Sequence, residues 1–523
     1  MHPQRRRPFA DSSCLPAQQQ LHRRPRQHCH LLPNGWRFAG TALVSPKILM
    51  VPWRQASHFG TTFVEYTSDV DPAHSRSAET STPTGPAGIG RQILRLAVPA
   101  LGALIAEPLF LLADAAIVGH LGVNQLAGVG LASTLLQTAV GLLVFLAYST
   151  TPAVARLIGA GRHRDAVAIG RDGIWLALVL GVGLAIAGVF VAEPLLQLLG
   201  ARGPILAAGT SYLQWSMPGI PAMLMVLAAI GVLRGLQDTR TPLVVAVLGF
   251  ALNAGSNWLL VYPLNLDVAG SAIGTSIAQW LMTAVYLVIV VRAARQERLA
   301  LAPDWRAVLS LTSVGGWLFV RTLSLRAATV ATVVVATGQG PDNLAAHQIA
   351  TSIFYLLAFA LDALAIAAQA LIGKELGAGN LPLVHALTRT MIRWGIGFGV
   401  LTGILVLAGS PWLGWIFSTD QQVHKSLFAA LIALAVCQPI AGFVFVLDGV
   451  LMGAGDVRYL GLVGMACLAA YAPLLIWVAI SGLQGPVGLG WLWAAFTGGY
   501  LLARAVSLGL RARTDAWLLT GVR

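Results

Sequence analysis

The chain has 523 residues, of which 56% are hydrophobic and only 11% charged, and it carries a net charge of +13. Soluble domains carry about 25% charged residues, so together with a mean hydropathy of +0.72 this composition excludes a large soluble protein and indicates a chain that crosses a membrane many times. The basic balance does not mark a nucleic-acid binder, because from residue 89 onward the cations gather at the ends of apolar runs, where they report topology.

Residues 1–88 differ from the rest. The stretch "RRRPFADSSCLPAQQQLHRRPRQHCH" is rich in Arg, His, Pro and Gln and has no sustained periodicity, so a disordered extension is expected. "TALVSPKILMVPW" is too broken for the apolar core of a secretory signal. A start assigned too early, a regulatory tail and a targeting segment all remain open. From there the chain divides into twelve apolar runs, from 93–119 to 487–510, each long enough for a span of about 20 residues. Six fall in a first lobe, 89–292, and six in a second, 309–511. The charged stretch 293–308 is the expected linker between them, and 512–523 is a short tail. Alternate connections carry twenty Lys or Arg residues against two, Arg202 and Lys425, in the other set. That asymmetry puts both termini on the cytoplasmic side.

The two halves repeat. "LRGLQDTR" at 233–240 matches "LMGAGDVR" at 451–458, "IGAG" at 158–161 matches "LGAG" at 376–379, and "NQLAG" at 124–128 matches "DNLAA" at 342–346, all at an offset of 218. Three matches at one offset make a duplication. Six spans per half bring both halves in from the same side, so the repeat is parallel, with its two-fold axis along the membrane normal. Transporters built this way hold substrate between the halves and work by alternating access.

At these residues the sequence resembles the multidrug and toxic compound extrusion (MATE) family, and most closely its DinF-like branch. The likeness rests on "LADAAIVGHLG" in the first run, "LRGLQDTRTP" after the fourth, "NAGSN" in the fifth, "AAHQIA" and "ALDALAIAAQALIGKELGAGN" in the eighth, and "LDGVLMGAGD" in the tenth. It runs from about residue 90 to 510. The resemblance implies an all-α polytopic membrane protein with two six-helix lobes in a V. It also implies efflux of organic, often cationic or amphipathic, compounds driven by inward H⁺ or Na⁺.

Asp114 is the leading candidate residue. A carboxylate at membrane depth costs roughly 2.5–3.5 kcal/mol on insertion scales, so it needs compensation or a task. Burial disfavours its charged form, so a proton and a cationic substrate would compete for one group, and the family uses the acid at this position for coupling. Pro108 is expected to kink the same helix, because proline removes a backbone hydrogen bond; the kink serves either bending or static packing. Glu107, two turns before Asp114 on nearly the same face, either lines the cavity or pairs with an arginine. Asn253 and Asn257, four apart, together with Thr275 complete a polar cluster with Asp114, or hydrogen-bond between helices for packing alone. Many relatives have an aspartate where Asn257 stands, so the amide weakens the case for Na⁺.

A second polar network is expected in the C-terminal half from Arg321, Arg326, Asp362 and Asp448. Arg321 and Arg326 are read as structural cations, and Asp362 as paired with one of them. The sodium-coupled branch joins a seventh-span acid to a tenth-span acid. Here the seventh run has only arginines, so Asp448 is expected to lack its usual partner. His347 is read as a helix-end polar residue. Trp258, Trp412, Trp415, Trp491 and Trp493 are read as interface or gate tryptophans. Cys14, Cys29, Cys437 and Cys467 have no metal or redox spacing and are read as unpaired, inert thiols.

There is no H-E-x-x-H, G-x-S-x-G or paired-cysteine motif, so an enzyme is not expected, nor a cofactor or metal. The expected protein is a monomeric exporter in the inner or plasma membrane. Its partners are a small organic substrate and membrane lipids, with no nucleic acid. Protons are the coupling ion, with Na⁺ as the alternative. A lipid or lipid-linked precursor flippase of related fold and a non-transporting scaffold or receptor are the rivals.

Overall fold

The computed structural model describes residues 86–521, so the expected extension 1–88 lies almost wholly outside the described residues, with Cys14 and Cys29. The described chain is all helical. In hydrocarbon every backbone N–H and C=O must be satisfied within the segment, which leaves helices as the natural form for these apolar runs. Among the described residues eleven helical segments are long and apolar enough to cross a membrane: Gly88–Gly119, Val123–Gly159, His163–Leu198, Gly203–Gly235, Arg240–Val261, Asp267–Gln296, Trp305–Gly338, Pro341–Gly377, Leu381–Phe417, Gln421–Gly453 and Val457–Ile480. They are spans 1 to 11. The twelfth is broken: Gly485–Trp493 is α-helical, Ala494–Tyr500 is a π-helical turn and Leu501–Ala512 is α-helical again. The extra residue in a π turn rotates the face that follows it, and such turns gather at functional sites. This one delivers Arg504 to the interior.

Spans 1–6 form one lobe and spans 7–12 the other. The chain between them is short. Span 6 stays helical through Gln296 and span 7 begins at Trp305. The intervening residues are tied to span 3: Arg171 donates to Ala300 O at 2.7 Å, Trp175 Nε1 to Leu301 O at 3.0 Å, and the Asp304 N–H to Asp172 Oδ1 at 3.1 Å.

The duplication seen in the sequence is also a duplication of contacts. A Cβ built on Gly235 would lie 2.8 Å from Thr151 O, and one on Gly453, 218 residues later, 2.8 Å from Gln369 O, itself 218 after Thr151. Glycine lets spans 2 and 4 approach closely in the first lobe and spans 8 and 10 in the second. The turns repeat as well. Gln237 has φ 66° and its counterpart Gly455 has φ 74°. A left-handed turn residue that is glycine in one copy is therefore glutamine in the other, where its side chain donates across the lobes to Ala370 O at 2.9 Å.

The lobes meet at the arginine-rich end. A side chain on Gly159 would overlap the carbonyl of Lys374, and one on Gly377 would overlap the carbonyl of Arg156. Residues 159 and 377 are repeat partners, as are 156 and 374, so the crossing of spans 2 and 8 is reciprocal and the two-fold axis passes through it. Arg156, expected as a loop cation, is instead buried there, donating to Ala454 O at 2.7 Å and Leu519 O at 2.9 Å. Span 1 adds Ala100, Leu101 and Leu104 against Ala363 and Ile366 of span 8. Toward the opposite end this packing falls away. The first part of span 2, Val123–Leu142, barely touches span 7 and does not pack along span 8. The result is a V, closed at the arginine-rich end and open at the other.

Two expectations about aromatic and basic residues need correction. Trp258, Trp412, Trp415 and Trp491 are exposed, but Trp493 is core; it packs against His347, Phe354 and Phe496. Arg504, counted among the twenty cations of the topology argument although it lies inside the last run, is only 5% exposed, on the helix that follows the π turn.

Candidate functional site

Asp114 sits on span 1, 6% exposed, where the first lobe's helices converge. Span 1 is anchored to span 5 by the Phe110–Phe250 stack, ring centroids 5.0 Å apart, and by Tyr262 Oη donating to Ile117 O at 2.9 Å. This fixes the carboxylate against spans 4, 5 and 6. Oδ1 accepts from Ser271 Oγ at 2.6 Å and from Asn257 Nδ2 at 2.8 Å, while Oδ2 has one long contact, Tyr212 Oη at 3.5 Å. Asn257 Nδ2 also donates to Asn253 Oδ1 at 3.0 Å, and Asn253 Nδ2 donates to Thr275 Oγ1 at 2.9 Å. The network is therefore a chain, Asp114–Asn257–Asn253–Thr275, and only its first link touches the acid.

The electrostatics follow from the donor types. Each partner of Asp114 is a neutral donor, and no ion pair reaches it among the described residues. Neutral donors stabilise a buried carboxylate through charge-assisted hydrogen bonds without neutralising it. The charge thus remains available to a proton or a cation, and the less occupied Oδ2 is the side that can take it. Asn257 presents its N–H₂ to the acid. That supplies a donor where a dehydrated sodium ion would need hard oxygen ligands and compensating charge.

Sequence reasoning named Asn253, Asn257 and Thr275 but missed Ser271 and Tyr212, the other two groups in contact with the acid. Ser271 was legible in part: it stands four residues before Thr275 on one face of span 6. Tyr212 on span 4 gave no local signal, because only tertiary packing brings it to Asp114.

Glu107 occupies a different setting. Gly102 and Phe110 face span 5, Ala100 and Leu104 face span 8, and the exposed apolar stripe of Leu94, Val98, Ile105, Leu109 and Leu112 faces lipid. At 100° per residue, Glu107 falls on the strip between the two packing faces, away from lipid. It is exposed and has no hydrogen bond or ion pair among the described residues. Of the two roles expected for it, cavity lining is the one this geometry fits. Pro108 lies beside it in a helix that runs unbroken from Pro86 to Gly119 and also contains Pro99.

The second lobe departs from the expected pairing. Asp448 has no acid partner on span 7, as expected, and arginines take that place: Arg504 Nη2 donates to its Oδ1 at 2.6 Å and Arg321 Nη2 binds its Oδ2. Two guanidiniums thus stand beside the acid and fill the place a coupling cation would need. The expected pairing of Asp362 with Arg321 or Arg326 is not made among the described residues. Asp448 holds Arg321, and Asp362 instead accepts from Tyr148 Oη of the first lobe at 3.5 Å. Arg326 is exposed beside Gly141 of span 2 and forms no ion pair among the described residues. His347 is buried near the start of span 8 against Trp493, with Thr351 Oγ1 at 3.4 Å from its Nε2. Arg504 was the missed residue here; it lies inside the last apolar run, which was itself a signal.

Cys437 and Cys467 are free thiols. Among the described residues no group of three or more His, Cys, Asp or Glu side chains could hold a metal ion.

Comparison with known proteins gives one consistent result. The family model MatE matches residues 99–259 and 318–477, one stretch in each lobe. Protein DETOXIFICATION 44, chloroplastic, from Arabidopsis thaliana is 30% identical over 453 residues, covering 82% of this chain and 84% of that protein. DNA damage-inducible protein F of Escherichia coli K12 is 26% identical over 369 residues, covering 70% and 80%. The fold matches the Vibrio cholerae MATE transporter VcmN in its bent form with a TM-score of 0.73, 21% identity and coverage of 84% of this chain and all of that one.

Proposed function

Because the chain belongs to the MatE family, a family of membrane transporters, we propose that it is a secondary active antiporter that exports organic, often cationic or amphipathic, compounds in exchange for inward protons. The observation that carries this reading is Asp114: a buried carboxylate in the open half of the V, held among the described residues by Ser271, Asn257 and Tyr212. A group solvated by neutral donors can change charge without unmaking an ion pair.

The positive-inside bias puts the arginine-rich end, and with it both flanks of the described chain, in the cytoplasm. The V is then open outward. In this state Asp114 takes up a proton, the bound compound leaves, and the lobes rock so that the arginine-rich end opens. The proton is released to the cytoplasm and a new compound enters. The amide at Asn257 and the guanidiniums at Asp448 both argue for H⁺ over Na⁺, since each supplies a donor where a sodium ion would need oxygen. We place the protein in the inner or plasma membrane as a monomer.

The test is efflux from proteoliposomes with a pH gradient or a Na⁺ gradient imposed separately. Wild-type protein moves substrate under the pH gradient, and Asp114→Asn does not. Export driven by Na⁺ alone at fixed pH would refute proton coupling.

A further inference from the structure

At the arginine-rich end, span 1 of the first lobe lies against span 9 of the second. A Cβ built on Gly90 would sit 3.1 Å from the ring of Trp394, so the two helices touch there. Four arginines flank this contact: Arg91 and Arg95 on span 1, Arg389 and Arg393 on span 9. All four are exposed, and none forms an ion pair or a hydrogen bond among the described residues. Span 9 contains no acid, and the first on span 1 is Glu107, about 18 Å further along the helix than Arg95. The positive charge is therefore left without a counter-charge on either helix.

Helical geometry puts all four arginines on one side of the seam. With the Gly90–Trp394 contact as zero on each helix, Arg91 and Arg95 fall about 100° and 140° round span 1. Arg393 and Arg389 fall about 100° and 140° round span 9 in the opposite sense. Both helices run inward from the same end, so opposite turns from a shared contact lead to the same side. Arg91 and Arg393 are each one residue from the contact and differ in depth by only about 3 Å. Helices in contact lie about 8–10 Å apart, a gap that two arginine side chains can close on a single phosphate. Deeper along this side the surface is apolar and open. Leu94 and Val98 of span 1 and Leu401 and Ile404 of span 9 are exposed, and a Cβ built on Gly397 would meet nothing.

We propose that this seam binds one anionic phospholipid from the leaflet at the arginine-rich end. Arg91 and Arg393 hold its phosphate, Arg95 and Arg389 stand on either side, and its acyl chains lie in the groove bordered by Leu94, Val98, Leu401 and Ile404. Isolated cations at a helix end report topology alone. Here cations from two helices converge above an apolar groove, and basic pockets between spans are the form in which proteins hold anionic headgroups. Guanidiniums suit the task, because their fork of N–H groups matches the oxygens of a phosphate. Each lobe supplies two of the four cations, so the lipid ties the lobes together at the closed end of the V. The proposal stands independently of the efflux reading.

The test uses the purified full chain in detergent, with lipid retention and Kd read by native mass spectrometry. The probes are palmitoyl-oleoyl phosphatidylglycerol, phosphatidylcholine with the same chains, and glycerol 3-phosphate, which has the phosphate and no chains. Wild-type protein retains one phosphatidylglycerol and binds the other two at least tenfold more weakly. Arg91→Gln/Arg95→Gln weakens phosphatidylglycerol by about tenfold or more, and Arg389→Gln/Arg393→Gln does the same. Arg292→Gln/Arg295→Gln, at the end of span 6, stays within about twofold of wild type, because its cations lie off the seam. Melting profiles in lipid-free detergent stay unchanged, since none of these side chains holds a partner. A wild-type Kd remaining in either seam variant overturns the proposal, because two separate surfaces would then be at work. Equal weakening in the span 6 variant also overturns it, as diffuse attraction to the surface. So does equal affinity for phosphatidylcholine, or for glycerol 3-phosphate, which would make the ligand a free phosphate.

Discussion

The two lobes descend from one repeat, yet they treat a buried carboxylate in opposite ways. In the first, Asp114 is surrounded by a hydroxyl, an amide and a phenol. In the second, Asp448 is gripped by Arg321 and Arg504. Neutral donors leave the charge of an acid adjustable. Paired guanidiniums fix it, since adding a proton must work against two permanent cations in a water-poor interior. One lobe thus leaves the charge of its buried acid adjustable and the other fixes it, although both descend from one repeat.

The sharpest way to break this contrast is at its mobile side. Asp114→Asn should reduce pH-driven efflux by about 100-fold or more, equivalent to about 2.7 kcal/mol of lost driving coupling, and should make equilibrium binding of a cationic substrate independent of pH. The fixed side should fail differently. Asp448→Asn leaves the buried Arg504 and the half-buried Arg321 without the carboxylate they share, and breaking a buried ion pair from one side costs about 3–5 kcal/mol. The readout is a lower melting temperature in detergent, partly restored in the double variant Asp448→Asn/Arg321→Met. Were Asp448→Asn to stay stable but lose proton coupling, the two acids would not differ in the way argued here.

Smaller effects sharpen the comparison. Gly377→Val would press a side chain into the backbone of span 2, and overpacking of this kind costs about 1–3 kcal/mol. It should favour the state open at the arginine-rich end, read as greater labelling of a reporter cysteine placed beside Arg156. Ser271→Ala removes one hydrogen bond to a charged group, worth about 1.5 kcal/mol, and should cut efflux about tenfold without changing the melting profile. Asn257→Asp is expected to act most subtly, adding a Na⁺ stimulation at fixed pH that the wild type lacks.

Much of this architecture was legible in the chain, because a membrane forces the pattern. Long apolar runs can only be helices there, and arginines crowding alternate loops report which ends lie together. The repeat was legible because the turns that must be left-handed or tightly packed retain their residues at a fixed spacing. Asp114 and its two asparagines were legible because polar residues are rare at that depth. Ser271, Tyr212 and Tyr148 were not, because hydroxyls occur in many spans for local reasons, such as bonding a carbonyl four residues back, as Thr150 does with Leu146 O at 2.8 Å. The pairing in the second lobe was misread for a similar reason. Arg321 had two acids to choose from, and its pairing with Asp448 is set by the tertiary packing of spans 7 and 10, which leaves no local signal in the sequence.

The crossing of spans 2 and 8 has a consequence for ancestry. Gly159 meets the stretch that ends at Gly377, and Gly377 meets the stretch that ends at Gly159, so each surface is its own complement under a half-turn. This is the form required of an interface between identical subunits. A protein the size of one lobe could make the same contact with a second copy of itself, and fusing two such genes would join the subunits without redesigning the surface that binds them.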